Sequence, residues 1–97
     1  MEIYTNWRGW ATREELEHAC RLMGFPTARL PDDRPPIFQT TSAGHEFLRV
    51  AQAASTSLAQ IIVLLKRDPS HALAIRSALL LGGKESGYDY IRALLVR

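Results

Sequence analysis

The sequence has a single cysteine, Cys20, among its 97 residues. One cysteine excludes an intramolecular disulfide and cannot by itself supply a four-ligand zinc site. Small secreted domains stapled by disulfides are therefore excluded as a class. We expect the protein to work in a reducing compartment, the cytoplasm.

Long apolar runs are missing as well. The longest, Ile61 to Leu65, has five residues, whereas a membrane-spanning helix needs about 20. The stretch from Met1 to Arg8 has no basic segment followed by an apolar one, which is the pattern of a secretory signal. We therefore expect neither a transmembrane segment nor a secreted product.

The overall composition is that of one folded domain. Hydrophobic residues make up 46% and charged residues 23% of the chain, close to the averages of soluble globular proteins. A chain of this length buries one core but not two, so residues 1–97 are predicted to form a single domain. The net charge is only +2, because 12 Lys and Arg stand against 10 Asp and Glu, which gives little support for a polyanionic partner.

The first helix is marked by signals at both ends. Thr12 and Glu15 have the spacing of a capping box, and Gly24 is a typical C-terminal stop. Between them, four side chains fall on one predicted apolar face. They are Leu16, Ala19, Cys20 and Met23.

Three more helices are predicted downstream, the last of them from the weakest signal. They run from His45 to Arg67, from Pro69 to Leu81, and from about Ser86 to Arg97. No glycine or proline interrupts the first of the three. Asp68 before Pro69 is a strong helix start, and Gly82-Gly83 ends that helix.

Residues 25–42 lose the helical periodicity and contain four of the five prolines. Short extended segments at Ala28–Leu30 and Ile37–Thr40 are compatible with a hairpin, and an irregular loop fits the same residues. The predicted fold is therefore mainly α. It is a small helical domain of three to four helices, with a proline-rich loop or short β-hairpin between the first and second main helices.

Two tryptophans, Trp7 and Trp10, lie close together near the start of the chain. Buried aromatic side chains are the commoner outcome, so we expect this segment to lie across the core. An exposed recognition surface is the alternative interpretation.

The residues that bind metals have the wrong spacing for a site. His18 and Cys20 are separated by one residue, which places them about 200° apart on a helix, so they cannot share a zinc ion with His45 and His71 in the usual pattern. We expect no bound metal.

Catalytic and phosphate-binding motifs are also incomplete. Ser42, His45 and Glu46 have the residue types of a hydrolase triad but lack the strained turn that presents a nucleophile. The segment 82–87 departs from the phosphate-loop pattern because Glu85 follows its lysine and a helix precedes it. We therefore expect no enzymatic activity and no cofactor.

The segment Phe38–Leu48, FQTTSAGHEFL, resembles the last wing strand, threonine cap and following helix of bacterial winged-helix regulators of the PadR and MarR type. The resemblance implies that the first helix stands at the position of the recognition helix and residues 28–40 at the wing. It also implies DNA binding, with Arg21 on the outer face of the reading helix and Arg29 and Arg34 reaching phosphate or the minor groove from the wing.

The chain departs from that family in three respects, and the first is that Thr40 stands where the family usually has Leu. Only eleven residues precede Thr12, fewer than the two helices that support a recognition helix require. The first helix also carries Glu14, Glu15 and Glu17, which would repel the phosphate backbone. In favour of an anionic partner, residues 50–97 have six cations against three acids. This half of the chain is therefore the one expected to face an anion.

Our leading hypothesis is a non-enzymatic protein-binding module, such as a helical adaptor, a self-association domain or a small inhibitor. Five consecutive apolar residues cover the full circumference of a helix, so Ile61 to Leu65 must be surrounded by the chain itself or by a partner. The candidate interface is Ile61, Val63, Leu64 and Leu65, and the partner is another protein or a copy of itself. The Leu79–Leu81 run adds apolar surface. The competing interpretation is that these residues only fill the core of the monomer, and the alternative function is a degenerate winged-helix DNA-binding regulator.

Overall fold

The structure is a computed structural model that describes residues 9–30 and 37–96, except for the side chains of residues 29, 30, 37 and 38. Within these ranges the chain forms α1 (Arg13–Met23), β1 (Thr27–Leu30), β2 (Ile37–Thr40), α2 (Ser42–Ala54), α3 (Leu58–Arg67) and α4 (Ser70–Leu95). The prediction of a mainly helical domain is confirmed. The predictions for Trp7, Arg34 and the turn at 31–34 lie outside the described residues.

Helix α1 begins and ends where its sequence signals place it. The Thr12 hydroxyl accepts from the Glu15 N–H at 3.1 Å, and the Glu15 carboxylate accepts from the Thr12 N–H at 2.9 Å. At the other end Gly24 has a φ of 82°, a left-handed conformation that favours glycine. All four residues of the predicted apolar face are buried.

The hairpin is present, so the loop alternative is excluded for the described strands. Strands β1 and β2 are antiparallel, with Thr27 opposite Thr40. The Thr40 hydroxyl donates to the Pro26 carbonyl at 2.7 Å, and the Thr41 hydroxyl caps α2 by accepting from the Gly44 N–H at 3.1 Å. A β-carbon on Gly44 would lie 2.8 Å from Cγ2 of Thr40, so glycine lets the strand turn directly into the helix.

The prediction of one helix from His45 to Arg67 is wrong. Helix α2 ends at Ala54, α3 begins at Leu58, and their axes are bent by 110°. The Ser55 hydroxyl donates to the Ala51 carbonyl at 2.7 Å and accepts from Trp10 Nε1 at 3.1 Å. The Leu58 N–H in turn donates to the Trp10 carbonyl at 3.1 Å. Trp10, which is buried as predicted, therefore occupies the corner and supplies hydrogen bonds that a continuous helix would have to replace.

Helix α4 has two arms that meet at Gly83. The backbone of Gly83 is non-helical, with φ 74° and ψ −162°, a region that is almost restricted to glycine. We call residues 70–82 the proximal arm and residues 84–95 the distal arm. The predicted stop at Gly82-Gly83 thus corresponds to a kink, beyond which the predicted last helix follows.

Each arm of α4 carries an arginine that binds the end of another helix. Arg76 donates from Nη1 to the carbonyl of Met23, the last residue of α1, at 3.2 Å. Arg92 donates from Nη1 to the carbonyl of Ala54, the last residue of α2, also at 3.2 Å. In both places a guanidinium group donates to a carbonyl that has no partner within its own helix. Its positive charge also lies at the negative end of that helix dipole, which is a favourable interaction.

The core lies between the four helices and contains side chains from each of them. The largest fully buried ones are Phe47, Leu16, Met23, Leu48, Leu58, Ile61, Ile75, Ile91 and Cys20. Among the described helices, none by itself has the length and apolarity to cross a membrane, while α2 and α3 pass that test only as a pair bent by 110°.

Candidate protein-binding surface

The proximal arm of α4 presents three leucines to solvent. Leu73, Leu80 and Leu81 are 68%, 84% and 86% exposed. The opposite side of the arm is already used, because Ile75 and Leu79 are buried in the core. The arm is apolar on both sides, and only one side is covered by the described part of the chain. We call Leu73, Leu80 and Leu81 the leucine face.

A groove of about 570 Å³ runs beside the leucine face, between the proximal arm and the start of α2. Apolar side chains from α2, from α4 and from the connection between α1 and β1 line most of it. They are Phe25, Ala43, Leu73, Leu79 and Leu80. The polar lining residues are Ser42, Glu46, Arg76 and Ser77, so the groove combines apolar side chains with two hydroxyls and two opposite charges.

Of the two charged residues that line the groove, Glu46 and Arg76, the arginine is held against the protein. The guanidinium of Arg76 lies 5.4 Å from the centre of the Phe25 ring and donates to the Met23 carbonyl. Stacking on an aromatic ring and bonding to a carbonyl both fix the orientation of an arginine. Arg76 therefore forms a wall of the groove while its bonding capacity is partly used within the chain.

The predicted interface residues divide into two groups. Ile61 and Leu65 are buried in the core of the chain, Leu64 is half-buried, and Val63 is 52% exposed. Helix α3 packs against α1 and α4, and the side that carries Leu58, Ile61, Ile62 and Leu65 is buried while the opposite side is exposed. Burial by the chain itself thus accounts for Ile61 and Leu65, and Val63 is the member of this set that is open to a partner.

The predicted DNA-contacting residues are placed as follows. Arg21 is exposed on α1, with Nη2 at 3.4 Å from Oε2 of Glu17. Arg29 lies in β1 opposite Phe38, and its side chain, like the whole of Arg34, lies outside the described residues.

Glu17 is not on the solvated start of α1, where the sequence places it together with Glu14 and Glu15. It is 3% exposed, and its carboxylate lies 3.8 Å from Nε of Arg13 as well as close to Arg21. A buried carboxylate requires such positive partners. Glu17 therefore belongs to an ion-pair group within α1, and Arg21 is engaged in that group.

The remaining candidates from the sequence lie in different surroundings. Burial raises the pKa of the Cys20 thiol to about 11, which keeps it protonated and unreactive. Ser42 and Glu46 line the groove, whereas His45 is buried and burial lowers its pKa. In the described ranges, 9–30 and 37–96, no group of three His, Cys, Asp or Glu side chains is placed to hold a metal ion.

A second cleft, of about 600 Å³, lies between α2 and the distal arm of α4. Its charged lining residues are Arg49, Lys84, Glu85 and Asp89. Two positive and two negative side chains cancel, so the cleft offers no concentration of one charge.

The leucine face was only partly detectable from the sequence. The Leu79–Leu81 run signals apolar surface, but the split between the buried Leu79 and the exposed Leu80 and Leu81 depends on how α4 is rotated against the core. The groove depends further on Phe25 and Ala43, which are distant in sequence.

Compared with known protein families, with characterised proteins and with solved structures, the chain matches none of them.

Proposed function

We propose that this protein is a non-enzymatic protein-binding module that docks a partner through the leucine face of α4 and the groove beside it. The observation that carries the proposal is the exposure of Leu73, Leu80 and Leu81 on one arm of one helix. Large apolar side chains exposed together on one helix are typical of protein-interaction sites.

The energetics support a docking role. Full burial of a leucine side chain is worth roughly 1.5–3 kcal/mol. The three leucines together therefore offer about 5 kcal/mol of hydrophobic free energy to a partner that covers them. The adjoining groove, of about 570 Å³, offers apolar lining to the side chains of a partner helix, a common mode of peptide recognition.

DNA binding is the second candidate, and one observation favours it. The hairpin β1–β2 stands between α1 and α2, the order that the winged-helix resemblance implies, and Thr41 caps α2 as that resemblance implies. Against this, the exposed surface of α1 includes Glu14, and its exposed Arg21 is engaged with Glu17. The leucine face thus remains the better-supported site.

Site-specific photo-crosslinking tests the leading proposal. A benzophenone side chain is placed at Leu80 in the full chain, which is then irradiated in its host cells, with the exposed position Ala93 on the distal arm as the matched control. We expect a discrete crosslinked protein adduct from position 80 and none from position 93. Equal adducts from both positions, or none from position 80, would refute the proposal.

Fluorescence anisotropy with a labelled random duplex tests the second candidate. A winged-helix regulator would bind the duplex with a steep salt dependence, and Arg21→Ala would reduce the slope by roughly one unit if that arginine contacts a phosphate. We expect no binding at physiological salt.

A further inference from the structure

We propose that α4 is a hinged helix that opens at Gly83 and exchanges its distal arm with a second copy of this chain. In the resulting dimer each distal arm occupies, on the other copy, the place that it occupies on its own chain in the structure. This exchange does not use the leucine face, so it goes beyond the proposed function.

The hinge consists of a single residue. Within Ser70–Leu95 only Gly83 has a non-helical backbone, and a helical arm continues on either side of it. Its φ of 74° and ψ of −162° lie in a region that is almost restricted to glycine. Helical angles at this one residue would join the arms into one helix of 26 residues, about 39 Å long. Short hinges under strain favour the exchange of an element between copies.

The folded-back form of α4 also depends on the glycine that precedes the hinge. A β-carbon on Gly82 would overlap the side chain of Ser86. In a continuous helix, positions 82 and 86 are neighbours one turn apart, with β-carbons about 5–6 Å from each other. The folded-back form therefore requires glycine at both 82 and 83, whereas the open form requires it at neither.

The distal arm has to be covered again once the hinge opens. Ile91 and Leu94 are buried in the core, and Arg92 donates to the Ala54 carbonyl at the end of α2. Opening exposes the two apolar side chains and uncovers the site beside α2 from which they came. The segment that fits this site is residues 84–95 of the same sequence. A second copy therefore supplies the complementary arm, and the exchange restores the contacts that opening breaks.

The charges near the hinge are compatible with two chains crossing there. Lys84 and Glu85 are the charged residues closest to Gly83 in the sequence. Two copies that cross at the hinge bring together two charges of each sign, so neither sign accumulates.

Alanine variants with a matched control test the hinge. A β-carbon at Gly83 meets open space, so Gly83→Ala penalises the backbone of the folded-back form alone, while alanine favours a continuous helix. Gly82→Ala acts on the same equilibrium through the overlap with Ser86. Gly9→Ala is the control, because Gly9 also has a positive φ, of 81°, and open space around it, but lies outside α4.

Each protein is unfolded in urea and refolded at a series of high concentrations, and its mass is measured by size-exclusion chromatography with light scattering. We expect the ratio of dimer to monomer to rise at least tenfold over wild type in Gly83→Ala. It should also rise in Gly82→Ala and stay unchanged in Gly9→Ala. The isolated dimer should persist for hours after dilution, because dissociation requires Ile91 and Leu94 to leave the core. A Gly83→Ala chain that stays monomeric, or an equal rise in Gly9→Ala, would overturn the proposal.

A distance within one chain separates arm exchange from other modes of dimerisation. Ser70→Cys and Ala93→Cys place spin labels at exposed positions on the two arms, while Cys20 is buried. In a continuous α4 these positions are about 35 Å apart, and in the folded-back helix they are closer. Pulsed EPR on Gly83→Ala dimers, formed with an excess of unlabelled chain, should give the longer distance. The same distance in dimer and monomer would contradict the exchange.

A charge on the leucine face separates this dimer from the proposed function. Leu73 is largely exposed and takes no part in the exchange, so adding Leu73→Glu to Gly83→Ala should leave the dimer fraction unchanged. Loss of the dimer in that variant would indicate association through the leucine face and would refute the exchange. Crosslinking from Leu80 tests the proposed function separately, because it does not require a dimer.

Discussion

Replacing Gly87 by alanine tests how closely the two arms of α4 approach each other. Gly87 is buried in the distal arm, where helix propensity alone predicts that alanine stabilises the protein by about 1 kcal/mol. The structure predicts the opposite sign. A β-carbon at this position would lie 2.8 Å from Cγ of Leu79 and would also overlap its Cδ2.

The clash cannot be relieved by a simple side-chain rotation. Leu79 is only 9% exposed, and Cγ is not the free end of its side chain. An added β-carbon would also lie 3.6 Å from Cγ1 of Val50 on α2, so the site is bounded on two sides. Overpacking a filled core costs about 1–3 kcal/mol. After the propensity gain, Gly87→Ala should lower the free energy of unfolding by about 1 kcal/mol.

A double-mutant cycle with Leu79→Ala isolates the clash. Leu79→Ala alone should cost about 2–5 kcal/mol by leaving a cavity. In that background the obstacle is gone, so Gly87→Ala should now stabilise by about 1 kcal/mol, giving a coupling of about 2 kcal/mol. Urea unfolding followed by circular dichroism measures all four proteins. If Gly87→Ala stabilises both backgrounds by the same amount, the close approach of the arms is refuted.

Two further predictions concern His45 and Arg92. His45 is buried, and neither ring nitrogen has a hydrogen-bond partner among the described residues. Burial lowers its pKa in the folded protein, so the unfolded chain takes up the proton first, and stability falls as the pH drops below about 6.5. The free energy of unfolding should therefore be lower at about pH 5 than at about pH 7.5. His45→Leu should weaken this pH dependence, and an unchanged dependence in the variant would contradict the assignment of the effect to His45. Arg92→Met should lower the free energy of unfolding by about 1 kcal/mol, because the hydrogen bond to the Ala54 carbonyl is lost. The control Lys84→Met, an exposed change on the same helix, should leave the free energy of unfolding unchanged. Equal effects of the two substitutions would count against a contribution from the Arg92 bond.

Features encoded by neighbouring residues were predictable from the sequence. The capping box at Thr12 and the helix start at Asp68 depend on side chains that bond backbone groups within a few positions. The stop at Gly24 depends on the left-handed conformation of that one residue. The hairpin was compatible with the sequence but not distinguishable from a loop, because the proline-rich segment suits both. The main-chain pairing of β1 and β2 decided between them.

Features that depend on distant contacts were not predictable. The break between α2 and α3 contains no glycine or proline, and its side-chain hydrogen bond comes from Trp10, 45 positions before Ser55. The burial of Glu17 likewise depends on how α1 is covered by the rest of the chain. The proposed binding surface has the same origin, because its position is set by the side of α4 that packs inward.

The two arginines of α4 have a consequence for the order in which the protein is completed during synthesis. A chain emerges from its N-terminus, and domains generally fold as units. Helices α1 and α2 are made first, but the carbonyls at their C-terminal ends receive their donors from Arg76 and Arg92, separated in sequence by 53 and 38 positions. In a nascent chain whose α4 has not yet emerged, the Met23 and Ala54 carbonyls therefore lack these donors. The core also lacks the side chains that α4 contributes to it. Stable folding waits for α4, which is about the last third of the described chain, and the leucine face is presented only when that helix is in place.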